Sequence, residues 1–385
     1  MIRIDTRIEF ANACDLEVLE AGSPPEVRFT PDPHGGPEVL WFAFRILCDA
    51  PLPLLRITLK NHQNMLGGAA HPEQMRPVFR RAAAGEQESW QRLGEPEIST
   101  LPDGRRLVHW DIPQPSASLD VAWCFPYGPA DVNQLVADSG GYWKADTIAV
   151  SQSSRPIVRL SNDGGAEGST TPGLYLLARQ HSGETPGSWV LDGMLRHFAR
   201  MRPELLVWCV PLSNIDGVVG GDYGKDNFPY DLNRAWPANM RAMRHETHAI
   251  ANDIRLWAGR CRACLGIDMH APGACESEGI YGFIVSAEQH IVQHRQSQQI
   301  AKAIVGKLGT LGDEKSGRVP RYKSRWDTPT FTQFMAGALG LPAMSFETPY
   351  GFCNGTLMTI DDYRRAGELM AGGVIEQLTA AQPAR

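Results

Sequence analysis

Two rhythms of apolar and polar positions divide the chain. Up to about residue 130, short apolar or alternating runs recur between clusters of Pro, Gly, Asn and Asp. The runs at 40–48, 53–60, 106–112 and 119–125 each read as strands, because period-two alternation gives a sheet one buried face and the breakers end each run. This spacing predicts an all-β sandwich or meander. After Gly141 the pattern changes to strands and helices in turn. An apolar run starting at Leu174 and runs at 205–210, 265–270, 279–285 and 341–347 predict strands. Helical periodicity marks 186–200, 239–258, 287–308 and 360–378. Alternation of this kind implies an α/β fold with a mixed, largely parallel sheet covered by helices on both faces. The expected organisation is a β-sandwich domain over 1–130 and an α/β domain over 131–385, a division that suits a chain of 385 residues.

In sheets of this class, chemistry gathers in loops at the carboxyl ends of strands. His181, His270 and Glu347 all stand at or just past the predicted strand ends. In His181-Ser-Gly-Glu184 an apolar run stops at an imidazole, a carboxylate follows three residues later, and Pro186 opens a helix. Zinc accepts N and O ligands together, so His181 and Glu184 with His270 make a three-ligand set that leaves a position open for water. Taken singly, His270 reads equally well as a hydrogen-bonded core histidine and Glu184 as a helix cap.

Four segments belong together: His181-Ser-Gly-Glu184, Asn214-Ile-Asp-Gly217 leading to Asp231-Leu-Asn-Arg234, Asp268-Met-His270, and Ser345-Phe-Glu347-Thr348. Their order and contexts resemble the zinc carboxypeptidase family, and more closely its cytosolic carboxypeptidase branch. The runs at 40–45 and 125–131 are similar to the β-sandwich that precedes the catalytic domain in that branch. The resemblance implies one zinc ion on His181, Glu184 and His270, and Asp231 as the carboxylate that orients a ligating imidazole. It implies Asn233 and Arg234 as the pair that holds a substrate's terminal carboxylate, a task suited to the planar fork of a guanidinium. Glu347 would be the general base, with Glu276 and Glu288 the next carboxylates to consider. Where the family has a carbonyl-polarising Arg this chain has Gly224, with Lys225 beside it as a candidate source of charge. The family's substrate-capping Tyr has Tyr322 as its candidate. The implied activity is a metallocarboxypeptidase that removes C-terminal residues, acidic ones in the cytosolic branch, from peptides or proteins. A zinc amidohydrolase of N-acyl amino acids, of the aspartoacylase and desuccinylase type, and a non-catalytic peptide-binding module are the alternatives.

Composition adds exclusions. A net charge of −6 lacks the basic footprint of a nucleic-acid binder. The opening residues lack the apolar core of a signal peptide and no apolar run reaches the length of a membrane span, so no membrane partner is expected and the cytoplasm is the expected compartment. Eight cysteines are too sparse for a disulfide scaffold, and Cys261-Arg-Ala-Cys264 has neither a second such pair nor a His pair near it. His245-Glu-Thr-His248 imitates a metalloprotease helix, but its imidazoles are three apart instead of four, and with Arg244 and Asp253 beside it the segment reads as a solvated helix face.

Overall fold

The computed structural model describes the chain apart from residues 84, 85, 229, 237–243, 322, 323 and 381–385, and apart from the side chains of 82–87. In the first 130 residues the four runs picked out by alternation lie at the centres of two sheets. Ala43–Cys48 and Ser118–Ala122 pair antiparallel, flanked by Ile2–Asp5 and Val78–Ala83. Leu54–Leu59 and Arg106–Pro113 pair antiparallel in the second sheet, between Glu26–Thr30 and Glu97–Thr100, with Cys14–Leu19 at one edge. The apolar faces of the two sheets meet: the ring of Phe29 on the second lies 4.8 Å from that of Phe44 on the first. The edge strand Cys14–Leu19 escapes a pattern-based reading because most of its side chains are exposed and no apolar face marks it.

Residues 144–347 build a seven-stranded sheet in the order Lys144–Val150, Pro156–Ser161, Leu206–Val210, Pro172–Ala178, Arg262–His270, Ala343–Glu347, Tyr281–Phe283. The three pairings in the middle are parallel and the flanking pairings are antiparallel. The sheet is therefore mixed as expected, and parallel only where it is most buried. Strand 279–285 shrinks to Tyr281–Phe283 and runs antiparallel to Ala343–Glu347. Lys144–Val150 went unnoticed in the pattern for the same reason as Cys14–Leu19: it is a largely exposed edge.

Thr185–Met201 packs on the central strands and against Ile360–Thr379. The helix expected at 239–258 is found over His245–Ala258, while 239–243 lie outside the described residues. Phe331–Leu339, a helix the pattern did not reveal, opens on a capping box between Thr330 and Gln333. The Pro129–Asp138 helix spans the 130/131 junction. Among the described residues, no helix is long and apolar enough to cross a membrane.

The core is continuous across that junction, and one guanidinium ties its two sides together. Arg92 donates from Nε to the Met358 carbonyl at 2.8 Å, from Nη2 to the Tyr350 carbonyl at 2.7 Å and from Nη1 to the Arg76 carbonyl at 2.7 Å. Its plane lies over the Phe125 ring, 4.6 Å from the centroid. Arg92→Met is expected to lower stability by about 3 kcal/mol, because the carbonyls lose a charged donor together. Arg92→Lys should recover only part, since one ammonium cannot reach all three. The urea midpoint at unchanged slope measures both.

Candidate metal centre

The three central strands are parallel neighbours, so their carboxyl ends emerge side by side. His270 is the cross-strand partner of Glu347, and Met269 that of Ala178, three residues before His181. Beyond Ala178 the chain turns sharply at Arg179, whose φ is +61°, a left-handed conformation unfavourable for a residue with a Cβ. The Arg179 side chain holds the turn, donating to the Ser182 carbonyl at 2.7 Å and to the Tyr127 carbonyl at 2.8 Å. Glu184 then sits at the N-cap of Thr185–Met201, with Pro186 in the first turn. Gly187 lets this helix approach the third ligand: a Cβ there would lie 3.0–3.1 Å from the backbone of Met269 and His270.

This framework brings His181, Glu184 and His270 together, all buried, with one ligand atom from each within 4.8 Å of the others. Nδ1 of His181 lies 2.8 Å from Glu184 Oε1, and Nδ1 of His270 lies 2.7 Å from Glu184 Oε2. Both Nδ1 atoms thus face the shared carboxylate, and both Nε2 atoms face carboxylates behind. His181 Nε2 meets Asp231 Oδ1 at 3.2 Å and His270 Nε2 meets Asp268 Oδ2 at 2.6 Å. An outer carboxylate on Nε2 holds the proton there and leaves the Nδ1 lone pair for a cation. The donor set therefore fits a metal ion: two imidazole nitrogens and a carboxylate, convergent, dry and oriented from behind.

The electrostatics agree. Burial alone pushes the His181 ring down, but Glu184 and Asp231 outweigh it and raise the ring to about 9. His270 is likewise raised well above the ordinary range, with Asp268 and Glu184 prevailing over burial. Burial would raise Glu184 and Asp231, yet the adjacent imidazoles hold both far below the usual carboxylate range.

A cavity of about 660 Å³ opens over this cluster and is lined also by Asn233, Arg234, Lys225 and Glu347. Asn233 is oriented by the Phe331 N–H, which donates to its Oδ1 at 3.0 Å, so that its amide nitrogen faces His270 Nε2 at 3.2 Å. Arg234 donates to Ser324 Oγ at 3.2 Å and to the Asn233 carbonyl at 2.9 Å. Burial raises the Glu347 carboxyl to about 7, and its Oε2 is buried with no hydrogen-bond partner among the described residues. Glu276 stands at the cavity rim, accepting from the Tyr281 hydroxyl at 3.1 Å, whereas Glu288 is exposed and does not line it. Tyr322 lies outside the described residues.

Gly224 explains itself. Its φ is +85°, and a Cβ would fall 2.5 Å from Ser182 Oγ, so this loop has no room for an arginine at 224. Lys225 points into the cavity with Nζ 3.9 Å from Glu38 Oε2. Glu38 belongs to the first 130 residues, where the sequence shows no titratable cluster; nothing local signals its role in this wall. Asp268 was given no role in the sequence, although residues two apart on a strand share a face, a signal that would have set it against the His270 imidazole.

Two other motifs come to nothing. The Cys261 thiol is buried and pushed up to about 12 by that burial, the state of an inert cysteine. His245 bonds the Val150 carbonyl at 2.7 Å. The helix face is not the solvated one expected: Glu246 and Asp253 are buried, the latter accepting from the Tyr175 hydroxyl and Arg159. Long-range partners absorb the Asp253 charge, and Arg244 pairs with Glu246 at 3.3 Å.

No family model matches the chain. Among curated proteins it is 21% identical to mouse cytosolic carboxypeptidase 3 over 282 residues, covering 67% of this chain and 28% of that one. It is 24% identical to cytosolic carboxypeptidase 6 of Caenorhabditis elegans over 221 residues, 51% of this chain and 47% of that one. The chain is similar to the cytosolic carboxypeptidases. It spans less than half the length of these relatives. Two solved structures share its fold over nearly their whole length. A metallo-carboxypeptidase from Burkholderia cenocepacia superimposes with a TM-score of 0.74 at 16% identity, covering 99% of this chain and 100% of that one. A metallo-carboxypeptidase from Pseudomonas aeruginosa, solved in complex with (2-guanidinoethylmercapto)succinic acid, does so with 0.72 at 18%, covering 97% and 98%. The fold is that of the metallo-carboxypeptidases.

A metal is expected to bind at about one equivalent, and His181→Ala or His270→Ala should abolish binding, as two remaining protein ligands cannot compete with a chelator. Ligating imidazoles must be neutral, whereas the flanking carboxylates favour the protonated rings, so an entering cation must displace protons. Affinity should consequently rise with pH up through about 9, the value of the His181 ring. Metal analysis after dialysis against chelator, repeated at pH 6 and pH 8, reads both effects; full occupancy in either variant would place the metal elsewhere.

Proposed function

We propose that this protein is a zinc-dependent metallocarboxypeptidase that hydrolyses C-terminal residues from peptides or proteins, acting in the cytoplasm. The observation that carries the reading is a single cavity lined by the His181–Glu184–His270 cluster, by a buried carboxyl at 347 and by Asn233 and Arg234. Residues 1–130 are proposed as a β-sandwich domain and 131–385 as the catalytic domain, whose helices cover both faces of the sheet.

A bound zinc supplies Lewis-acid activation of water and of the scissile carbonyl. The residues of this chain do the rest. Asn233 and Arg234 anchor the terminal carboxylate, which sets the distance from the chain end to the scissile bond. Glu347 takes a proton from the attacking water and returns it to the leaving amine as the C–N bond breaks. Asp231 keeps the His181 ring in its ligating tautomer. Lys225 brings positive charge towards the developing oxyanion, without the fork of an arginine. An acidic C-terminal preference, implied by the resemblance, would draw on Lys225 and Arg325. These face the cavity beside Glu38 and Asp226, respectively.

Peptides with a free C-terminus should be cleaved and their amides spared, and Arg234→Lys should erode that discrimination far more than it alters metal content. Equal cleavage of free and amidated peptides, or turnover of N-acyl amino acids alone, would refute the exopeptidase reading.

Glu347→Gln should bind metal and substrate nearly as the wild type does and lose kcat by roughly 10³- to 10⁴-fold, the upper range for general acid–base catalysis. In the wild type, kcat/KM should fall on the acid side as the carboxylate is protonated. The midpoint should lie below the value of about 7 set by burial, because a neighbouring cation favours the ionised form. A variant retaining a tenth of wild-type kcat would assign the base elsewhere, with Glu276 next.

A further inference from the structure

Behind His270 the outer carboxylate is not simply buried; it is steered. Asp268 uses one oxygen, Oδ2, for all its bonds, while Oδ1 is buried without a partner among the described residues. Oδ2 accepts from His270 Nε2 at 2.6 Å and, in a short contact, from Gln180 Nε2. The Gln180 amide is itself locked, because its Oε1 accepts from Trp236 Nε1 at 2.8 Å. Gln180, Asp268, Trp236 and His270 are all at most 2% exposed, so bulk solvent does not reach these groups. The Trp236 ring is in turn wedged between Phe331 and Phe334, with centroids 5.2 Å from each.

We propose that Gln180 and Trp236 are positioning residues for the metal centre: an indole–amide clamp that aims Asp268 at His270 and so fixes the ring whose Nδ1 faces Glu184. The inference rests on the metal-binding reading of the cluster. Its logic is directional. An indole only donates, which forces the Gln180 oxygen towards Trp236 and its NH₂ towards Asp268. Reversed, the amide would turn an oxygen towards the carboxylate and repel it. A carboxylate held by one oxygen has nothing else to fix its rotation, so its hold on His270 depends on this amide. The clamp also joins three segments that are distant in sequence, and Gln180 is next to the ligand His181, so it couples both imidazoles to one rigid wall.

The test uses the whole chain loaded with Zn²⁺ or Co²⁺. Gln180→Met keeps the volume and removes both hydrogen bonds; Trp236→Phe keeps an aromatic ring and removes only the lock. Chelator competition should give Zn²⁺ affinity 10- to 100-fold weaker in Gln180→Met, the usual range for losing an outer partner, and a smaller loss in Trp236→Phe. The visible absorption of the Co²⁺ protein should shift in both, because it follows ligand orientation. The double variant should match Gln180→Met alone, since a lock has no effect once the amide is gone; independent packing defects would add. Wild-type affinity and Co²⁺ spectrum in Gln180→Met, or additive losses, overturn the clamp. Should Gln180→Met fail to fold, an unshifted Co²⁺ spectrum in Trp236→Phe overturns it as well. A wild type that takes up no metal overturns the metal centre itself, a result distinguishable from failure of the clamp alone.

Discussion

One carboxylate between two imidazoles, all three buried, is the constraint around which the rest of the structure is arranged. Ionised groups taken out of water cost several kcal/mol each unless they are paired and hydrogen-bonded. Glu184 meets that requirement through His181 Nδ1, His270 Nδ1 and the Ala271 N–H at 3.1 Å. The imidazoles meet it through Asp231 and Asp268 on their far sides. One divalent cation can replace the two imidazole protons without changing the net charge of this cluster. The exchange of protons for a cation is what couples metal binding to pH.

The His181, Glu184 and His270 cluster was legible in the sequence because the motifs that carry it stand at strand ends. Three residues separate His181 from Glu184 across a strand-to-helix turn, and His270 and Glu347 end strands whose apolar runs are plain. What was not legible is what depends on distant chain segments. The Asp253 charge reads as solvent-facing until Tyr175 and Arg159 are folded onto it. Glu38 joins the cavity only through the packing of the first 130 residues against the loop around 225. The exposed strands Cys14–Leu19 and Lys144–Val150 have no buried face to produce a pattern and are held by backbone pairing. Asp268 is the intermediate case: strand periodicity could have placed it on the side of His270, but its partner Gln180 could be found only in three dimensions.

The parallel centre of the sheet does more than cover a core. Antiparallel neighbours would send His270 and Glu347 to opposite ends of the molecule; parallel pairing puts them opposite one another in register. The antiparallel flanks then bring return segments to the same end. Tyr281–Phe283 comes back along Ala343–Glu347, so that Tyr281 lies across from Glu347. Its hydroxyl donates to Glu276 instead of to Glu347, which leaves the 347 carboxyl with an unpaired oxygen at the cavity and a raised proton affinity. A general base needs that combination of burial and unused lone pairs.

The loop at 221–226 shows how backbone conformation and charge placement are traded. Gly224 adopts a left-handed conformation tight against Ser182, and Ser182 Oγ also donates to the Asp222 carbonyl at 2.9 Å. This braces the metal-ligand loop from outside, and it excludes a long side chain at 224. Within this loop, positive charge enters the cavity from the next residue. Lys225 reaches the cavity from there, with Nζ 3.9 Å from Glu38 Oε2. The first 130 residues thereby act on the site through electrostatics as well as through packing.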